Sequence, residues 1–389
     1  MMPYPDSAGS PQKAAYIHVP FCIFKCGYCD FNSFPGMESL FDDYVDALIR
    51  EIIRTGREQQ HANRLDSVYF GGGTPTVLPT DKLINILAAI GDTFGLAEDC
   101  EITLEANPGT VDQRKLALLR SAGFNRLSLG MQSLDDEFLS AIGRIHTARE
   151  ALDAYVWARS SGFANIGIDL IFALPRQTLQ HWKSALNTVV SMDPEHISLY
   201  ELSIEEGTKF AELCAKGQLD LPDEELRLEM YEAAIAMLTA AGYEHYEVSN
   251  FARPGFRSRH NQVYWRNEPY FGFGAGATSY VNGVRSVRLS DPRRYVEAIN
   301  REEDPVEFSE RLTGRNRLAE TLIQGLRLLE GVDLRRFRDD TGVDAIDAFH
   351  EEISSLVRNG LVEISEDRLR VTHKGLLLMN DVAVELIPA

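Results

Sequence analysis

Three cysteines, Cys22, Cys26 and Cys29, fall within eight residues of a segment that begins Tyr16-Ile-His18-Val-Pro-Phe-Cys22 and ends Cys29-Asp-Phe31. Thiolates are soft ligands suited to iron–sulfur clusters, which usually take four. A structural zinc also takes four protein ligands, and the nearest imidazole, His18, falls inside a predicted strand. Three thiols without a fourth would leave one iron of a [4Fe–4S] cluster open to an external amino and carboxylate group, such as methionine offers. A zinc site or three packed thiols are the plainer alternatives. Cys100 and Cys214 stand apart and read as packed thiols. A disulfide framework would spread its cysteines along the chain. Clustering of this kind points instead to metal or redox chemistry.

A loop of this kind needs a strand ending just before it. Short β-rich apolar runs recur at 15–19, 67–70, 101–104, 126–129, 166–171 and 196–202, separated by amphipathic segments at 41–54, 80–90, 112–122, 147–161 and 179–190. Thr80-Asp81 opens one helix and Ala122-Gly123 closes another. Alternating β and α segments predict a parallel sheet with chemistry at the C-terminal ends of its strands. The expected fold is α/β: a partial (β/α)6 TIM-like barrel over residues 14–220, more open than an eight-fold one. Residues 1–13 are expected to be flexible. An extension over 221–304 opens with a helix at 223–241 and continues, aromatic- and glycine-rich, through 243–281. Residues 305–389 read as a helical, winged-helix-like domain, with helices at 312–329 and 345–358 and a hairpin at 360–371.

The strand ends carry further polar residues. Gly71-Gly72-Gly73-Thr74-Pro75 follows the second strand, where glycines let a backbone approach a ligand closely or simply make a tight turn. Glu105 closes the third strand, Gln132 follows the fourth, and Asp169 sits inside the apolar fifth. A carboxylate among apolar residues costs several kcal/mol unless it is bonded. Arg144 could bind a carboxylate. For each of these a buried structural hydrogen bond or ion pair is the plainer reading.

The C-x3-C-x2-C spacing resembles the radical S-adenosylmethionine superfamily. Tyr-Ile-His-Val-Pro-Phe-Cys, Gly-Gly-Gly-Thr-Pro-Thr, Glu105-Ala-Asn-Pro and Asp169-Leu-Ile-Phe-Ala-Leu-Pro narrow the resemblance, over about residues 14–385, to the oxygen-independent coproporphyrinogen III oxidase group. The resemblance implies a [4Fe–4S] cluster on the three cysteines, with S-adenosylmethionine on its open iron. It implies cofactor contacts from Tyr16, Tyr28 (near the adenine), Gly72, Gly73, Thr74, Glu105, Gln132, Arg144 and Asp169. The group contains true oxidases and heme chaperones. The oxidases usually place another cysteine two residues after the third ligand, where this chain has Phe31, and carry a long N-terminal extension, where fifteen residues precede Tyr16. His260-Asn261-Gln-Val-Tyr264-Trp265 is similar to the His-Asn-x-x-Tyr-Trp motif of the chaperone branch and makes His260 a candidate heme ligand. Chemistry alone favours a structural His-Asn turn with both aromatics in the core; the resemblance reverses that reading for the motif. The implied function is a heme chaperone with heme as cargo, heme-accepting clients (membrane-associated ones among them) and an electron donor. The alternative is the oxidase reaction, decarboxylating coproporphyrinogen III. A radical enzyme acting on RNA or protein is the third class.

Bulk properties bear on partners and compartment. The net charge of −19 argues against a broad grip on nucleic acid or anionic membrane. Residues 310–389 hold 11 Lys/Arg against 15 Asp/Glu, so the winged unit reads as a lid or docking module rather than a DNA binder. No apolar leader opens the chain and no run approaches 18 apolar residues, so a cytoplasmic protein is expected.

Overall fold

The computed structural model describes residues 13–58 and 64–388. Strands β1 (Ala14–Val19), β2 (Leu65–Gly72), β3 (Leu96–Ala106), β4 (Arg126–Gln132), β5 (Ile166–Phe172) and β6 (His196–Glu201) lie parallel in chain order. Helices α1 (Phe41–Glu58), α2 (Thr80–Phe94), α3 (Gln113–Ser121), α4 (Asp136–Ile142), α5 (Ala148–Ser160) and α6 (Leu179–Met192) connect them. Side-chain caps set several boundaries: Asp112 accepts from Lys115 N at the start of α3, and Thr147 with Glu150 forms a capping box on α5.

Side chains alternate between the two faces of a strand, and here the faces differ sharply. Ile17, Val68, Leu104, Leu127, Ile168 and Ile197 point outward into the main core beneath the helices. On the inner face, cross-strand neighbours run Tyr16–Tyr69–Thr103–Arg126, then Glu105–Ser128, then Gly130–Asp169–Ser198–Asn250. The barrel therefore has a polar lumen.

After β6 come α7 (Lys209–Ala215) and α8 (Glu224–Ala240), then a hairpin of β7 (Glu244–Glu247) and β8 (Asn250–Ala252) antiparallel to β6. α9 (Arg259–Trp265) follows, and β9 (Tyr270–Phe273) returns parallel to β1. β10 (Thr278–Val281), β11 (Val284–Arg288), α10 (Pro292–Asn300) and β12 (Val306–Arg311) complete a 12-stranded sheet of order β12-β11-β10-β9-β1-β2-β3-β4-β5-β6-β8-β7. The extension thus adds strands to both edges of the barrel sheet. Its glycines serve strand packing: a Cβ at Gly272 would fall 1.9 Å from Thr278 O, and one at Gly274 2.7 Å from His18 O. A buried ion pair fastens this edge. Glu51 of α1 meets Arg288 of β11 at 2.9 Å with 2% and 8% of the side chains exposed, and Tyr295 OH and Gly274 N also donate to Glu51.

The C-terminal unit has its own core. It comprises α11 (Gly314–Gly325), β13 (Val332–Asp333), α12 (Leu334–Thr341), α13 (Ala345–Ala348), α14 (His350–Arg358), a hairpin of β14 (Val362–Ser365) and β15 (Arg368–Val371), α15 (His373–Leu377) and α16 (Met379–Leu386). Two details depart from the sequence reading. The start of this region, expected to be helical, is strand β12. The single helix expected over 345–358 breaks at Phe349, whose backbone (φ −124°, ψ 38°) leaves the helical region while its ring is fully buried. Glu366 and Asp367 turn the hairpin with φ of 52° and 63°, a pair of positive values that suits a tight two-residue turn. The N-terminal segment expected to be flexible lies outside the described residues except Lys13, whose N–H donates to Asp66 Oδ2 at 2.9 Å. No helix among the described residues is long and apolar enough to cross a membrane.

Candidate functional site

The cysteine loop leaves the C-terminal end of β1 and is held from outside. Gly27 N donates to Ile142 O of α4 at 3.1 Å, and Phe210 N of α7 donates to Gly27 O at 2.9 Å. Cys29 N donates to Cys26 O at 3.2 Å, and Cys22 Sγ lies 3.6 Å from Thr74 Oγ1. All three thiols are half-buried. Burial pushes the Cys22 and Cys29 thiols up, and the neighbouring thiols add to the effect. A bound cation would oppose both influences. Tyr28 sits edge-on to Phe210, with the Arg144 charge nearby.

The glycine run passes directly behind this loop. A Cβ at Gly72 (φ +113°) would fall 2.6 Å from His18 Cε1, and one at Gly73 would fall 2.5 Å from Phe21 O. Glycine is required here because β1 and the loop press against the backbone. Gly72 N donates to Glu105 Oε2 at 3.3 Å, and Tyr69 OH donates to Glu105 Oε1 at 2.7 Å. Burial pushes the Glu105 carboxyl up to about 7, against the Tyr69 hydrogen bond; the charge of Asp169 adds to the rise.

Across the lumen, the sheet register shifts between Gly130 and Gln132, and Gln132 takes φ 63°. A non-glycine residue in that region is strained, and such strain clusters at ligand sites. Gln132 and Arg144 converge over Gly130, where a Cβ would lie 3.0 Å from Gln132 Nε2 and 3.3 Å from Arg144 Nη2. Arg144 donates to Gly130 O at 2.6 Å and to Cys26 Sγ at 3.7 Å. Gln132 Oε1 and Arg144 Nε are buried without a partner. Buried polar atoms are normally hydrogen-bonded, so these two fit a polar ligand lying against the cysteine loop. Asp169 accepts from Ser128 Oγ at 3.0 Å and stands beside its cross-strand neighbour Ser198; burial pushes its carboxyl up. Three thiols, two carboxylates and these unpartnered donors and acceptors suit a thiolate-ligated cluster together with a small cationic, amino-acid-like ligand.

Tyr16 lies deeper. Its hydroxyl donates to His18 Nδ1 at 3.0 Å, because His18 Nε2 is committed as a donor to Asn32 O at 2.9 Å. Deeper still is His260. It is fully buried, with Nδ1 3.0 Å from Ser67 Oγ, Nε2 2.8 Å from Tyr264 OH, and its ring stacked 5.0 Å from Tyr69. Burial, with the Arg126 charge behind it, pushes its pKa down to about 3. Arg259 N and His260 N, at the start of α9, both donate to the Glu101 carboxylate at 3.2 Å. α9 is thus a plug in the N-terminal end of the barrel. The structure does not bring His260 to the cysteine mouth, and neither ring nitrogen is free for iron in this state. Sequence reasoning passed over Glu101, Arg126, Tyr69, Ser128 and Ser198. Strand parity could have found them, since they share the inner face with Glu105 and Asp169.

Comparison with known proteins places this architecture in a class. The Radical SAM superfamily model matches residues 16–189, and the HemN C-terminal domain model matches residues 312–378. The chain is 39% identical over 371 residues to heme chaperone HemW of Bacillus subtilis (strain 168), covering 95% of this chain and 98% of that one. It is 37% identical over 370 residues to heme chaperone HemW of Lactococcus lactis subsp. lactis (strain IL1403), covering 95% and 96%. A solved structure of coproporphyrinogen III oxidase (HemN) from Escherichia coli, a radical SAM enzyme, superimposes with a TM-score of 0.83 at 25% identity, over 97% of this chain and 90% of that one. The protein is therefore of the radical SAM class, for which a [4Fe–4S] cluster and S-adenosylmethionine are implied. Within that class, the chain belongs to the HemW family.

Proposed function

We propose that this protein binds heme and passes it to client proteins on a barrel that keeps its cluster and S-adenosylmethionine. One observation carries the reading: near-full-length similarity, at 37–39% identity, to proteins named heme chaperones. Phe31 agrees with it, standing 64% exposed where the oxidases usually place a further cysteine.

In this reading Cys22, Cys26 and Cys29 hold the cluster. Gly72, Gly73 and Thr74 flank the amino-acid end of S-adenosylmethionine, Glu105, Gln132, Arg144 and Asp169 surround it, Tyr28 lies by the adenine, and Tyr16 supports them from below. When bound, the cluster supplies an electron to the sulfonium, delivered by a separate donor. The chain's own residues orient the ligand and limit water around it. His260 remains the heme candidate only for a state in which α9 has left the barrel floor, since both nitrogens are engaged in this one. The clients are heme-accepting proteins, membrane-associated ones included. The proposed compartment is the cytoplasm, where three clustered thiols stay reduced for iron.

Heme titration followed by absorbance tests the reading, with His260→Ala as the control. A Soret change in the wild type is expected, and its absence sinks the proposal. The oxidase reading is favoured by the HemN superposition. It predicts robust protoporphyrinogen formation from coproporphyrinogen III with reconstituted cluster, reductant and S-adenosylmethionine under anaerobic conditions.

A further inference from the structure

Arg126 stands on β4 between the plugged floor and the open mouth. It is 2% exposed, donates one long hydrogen bond of 3.4 Å to Thr103 Oγ1, and its Nε meets no acceptor. Among the described residues it makes no ion pair within 4.0 Å. A guanidinium buried with so few contacts is costly and calls for a reason. The groups facing it come from every neighbouring element. They are Tyr69 on β2, Glu101 on β3, Asp169 on β5, His196 on β6, Tyr246 on β7 and His260 on α9. Carboxylates lie on both sides of it. Glu101 is spent below on the α9 N–H groups, whereas Glu105 and Asp169 line the mouth. Gly167 of β5 borders the guanidinium: a Cβ there would lie in ordinary contact, 3.6 Å from Arg126 Nη2 and 3.5 Å from both Ser128 Oγ and His196 Nδ1.

We propose that Arg126 is the internal counter-cation of the barrel, a positioning residue that keeps Glu105 and Asp169 anionic toward a cationic ligand without taking either into an ion pair. A direct ion pair would consume the lone pairs the ligand needs. A charge held beyond contact distance in a low-dielectric lumen acts on both carboxylates and competes with neither. The Arg126 charge does favour the ionised form of each against the burial that disfavours it. The inference rests on the reading that Glu105 and Asp169 face the sulfonium ligand.

The test is calorimetric titration of S-adenosylmethionine into cluster-reconstituted protein from pH 6 to 9, for the wild type, Arg126→Gln and Arg126→Lys. Wild-type affinity should rise through about pH 7, where Glu105 ionises. Arg126→Gln should bind about tenfold more weakly at pH 7 and recover above about pH 8, because alkali replaces the missing charge in ionising the carboxylates. Arg126→Lys should stay within about threefold of the wild type at pH 7. A folded Arg126→Gln protein with a wild-type pH profile overturns the proposal. If that variant does not fold, Arg126→Lys decides alone: affinity within threefold supports the charge role, and a loss of tenfold or more overturns it. A wild type that binds no S-adenosylmethionine sinks the reading of the site, and this role with it.

Discussion

The mouth and the floor of the barrel are both polar and both largely enclosed, yet they differ in bookkeeping. At the floor His260 has a partner on each nitrogen, and the Glu101 carboxylate receives the first two N–H groups of α9. At the mouth Gln132 Oε1 and Arg144 Nε lack partners, Gln132 sits in strained backbone, and the thiols stay half-buried. Satisfied polar burial holds a fold together, whereas unsatisfied burial marks a place for something else. The contrast separates two polar clusters, each built around buried carboxylates.

Substitutions can break or sharpen this contrast. Cys26→Ala should have the largest effect on function, eliminating the cluster's visible absorbance and S-adenosylmethionine binding after reconstitution, because three thiolates are already one short of four. Full cluster retention would contradict the assignment. His260→Ala should instead act on stability. It opens a cavity and strands Ser67 and Tyr264, and a loss of about 3 kcal/mol is expected in denaturant unfolding. S-adenosylmethionine affinity should change less than about threefold, and a larger change would mean that floor and mouth are one site.

Glu105→Gln probes the mouth through pH. The folded carboxyl, at about 7, binds its proton more tightly than the unfolded one. The Glu105 contribution to stability should therefore be fullest below about pH 4, where both states are protonated, and be lost as pH rises through about 7. The variant should lack about 3 kcal/mol of that decline, read by unfolding at pH 4.5 and 8. A wild-type profile in the variant would show that Glu105 is not the group responsible. Phe31→Cys should be the mildest, within about 0.5 kcal/mol of the wild type, because the side chain is largely solvated. Thermal unfolding checks it.

Much of this architecture was legible in one dimension. The six parallel strands, the helices between them, the winged unit and the placement of Glu105 and Gln132 at strand ends and of Asp169 within its strand follow from alternation and turn residues, which are local properties. The extension was harder. Its glycine run carried no clear local meaning, and Gly272 and Gly274 prove to be small because β10 and β1 press against them. Nor did anything local announce Glu51–Arg288, whose partners stand 237 residues apart.

The cysteine spacing by itself marked the mouth for metal or redox chemistry, because Cys22, Cys26 and Cys29 are close in sequence and any compact loop brings them together. Only the tertiary structure decided the place of His260. A histidine beside Tyr264 and Trp265 could bind heme or fill a core, and the choice depends on which groups meet its nitrogens. Those groups are Ser67, far away in the sequence, and Tyr264 on its own helix, positioned when α9 enters the barrel from the end opposite the cysteines.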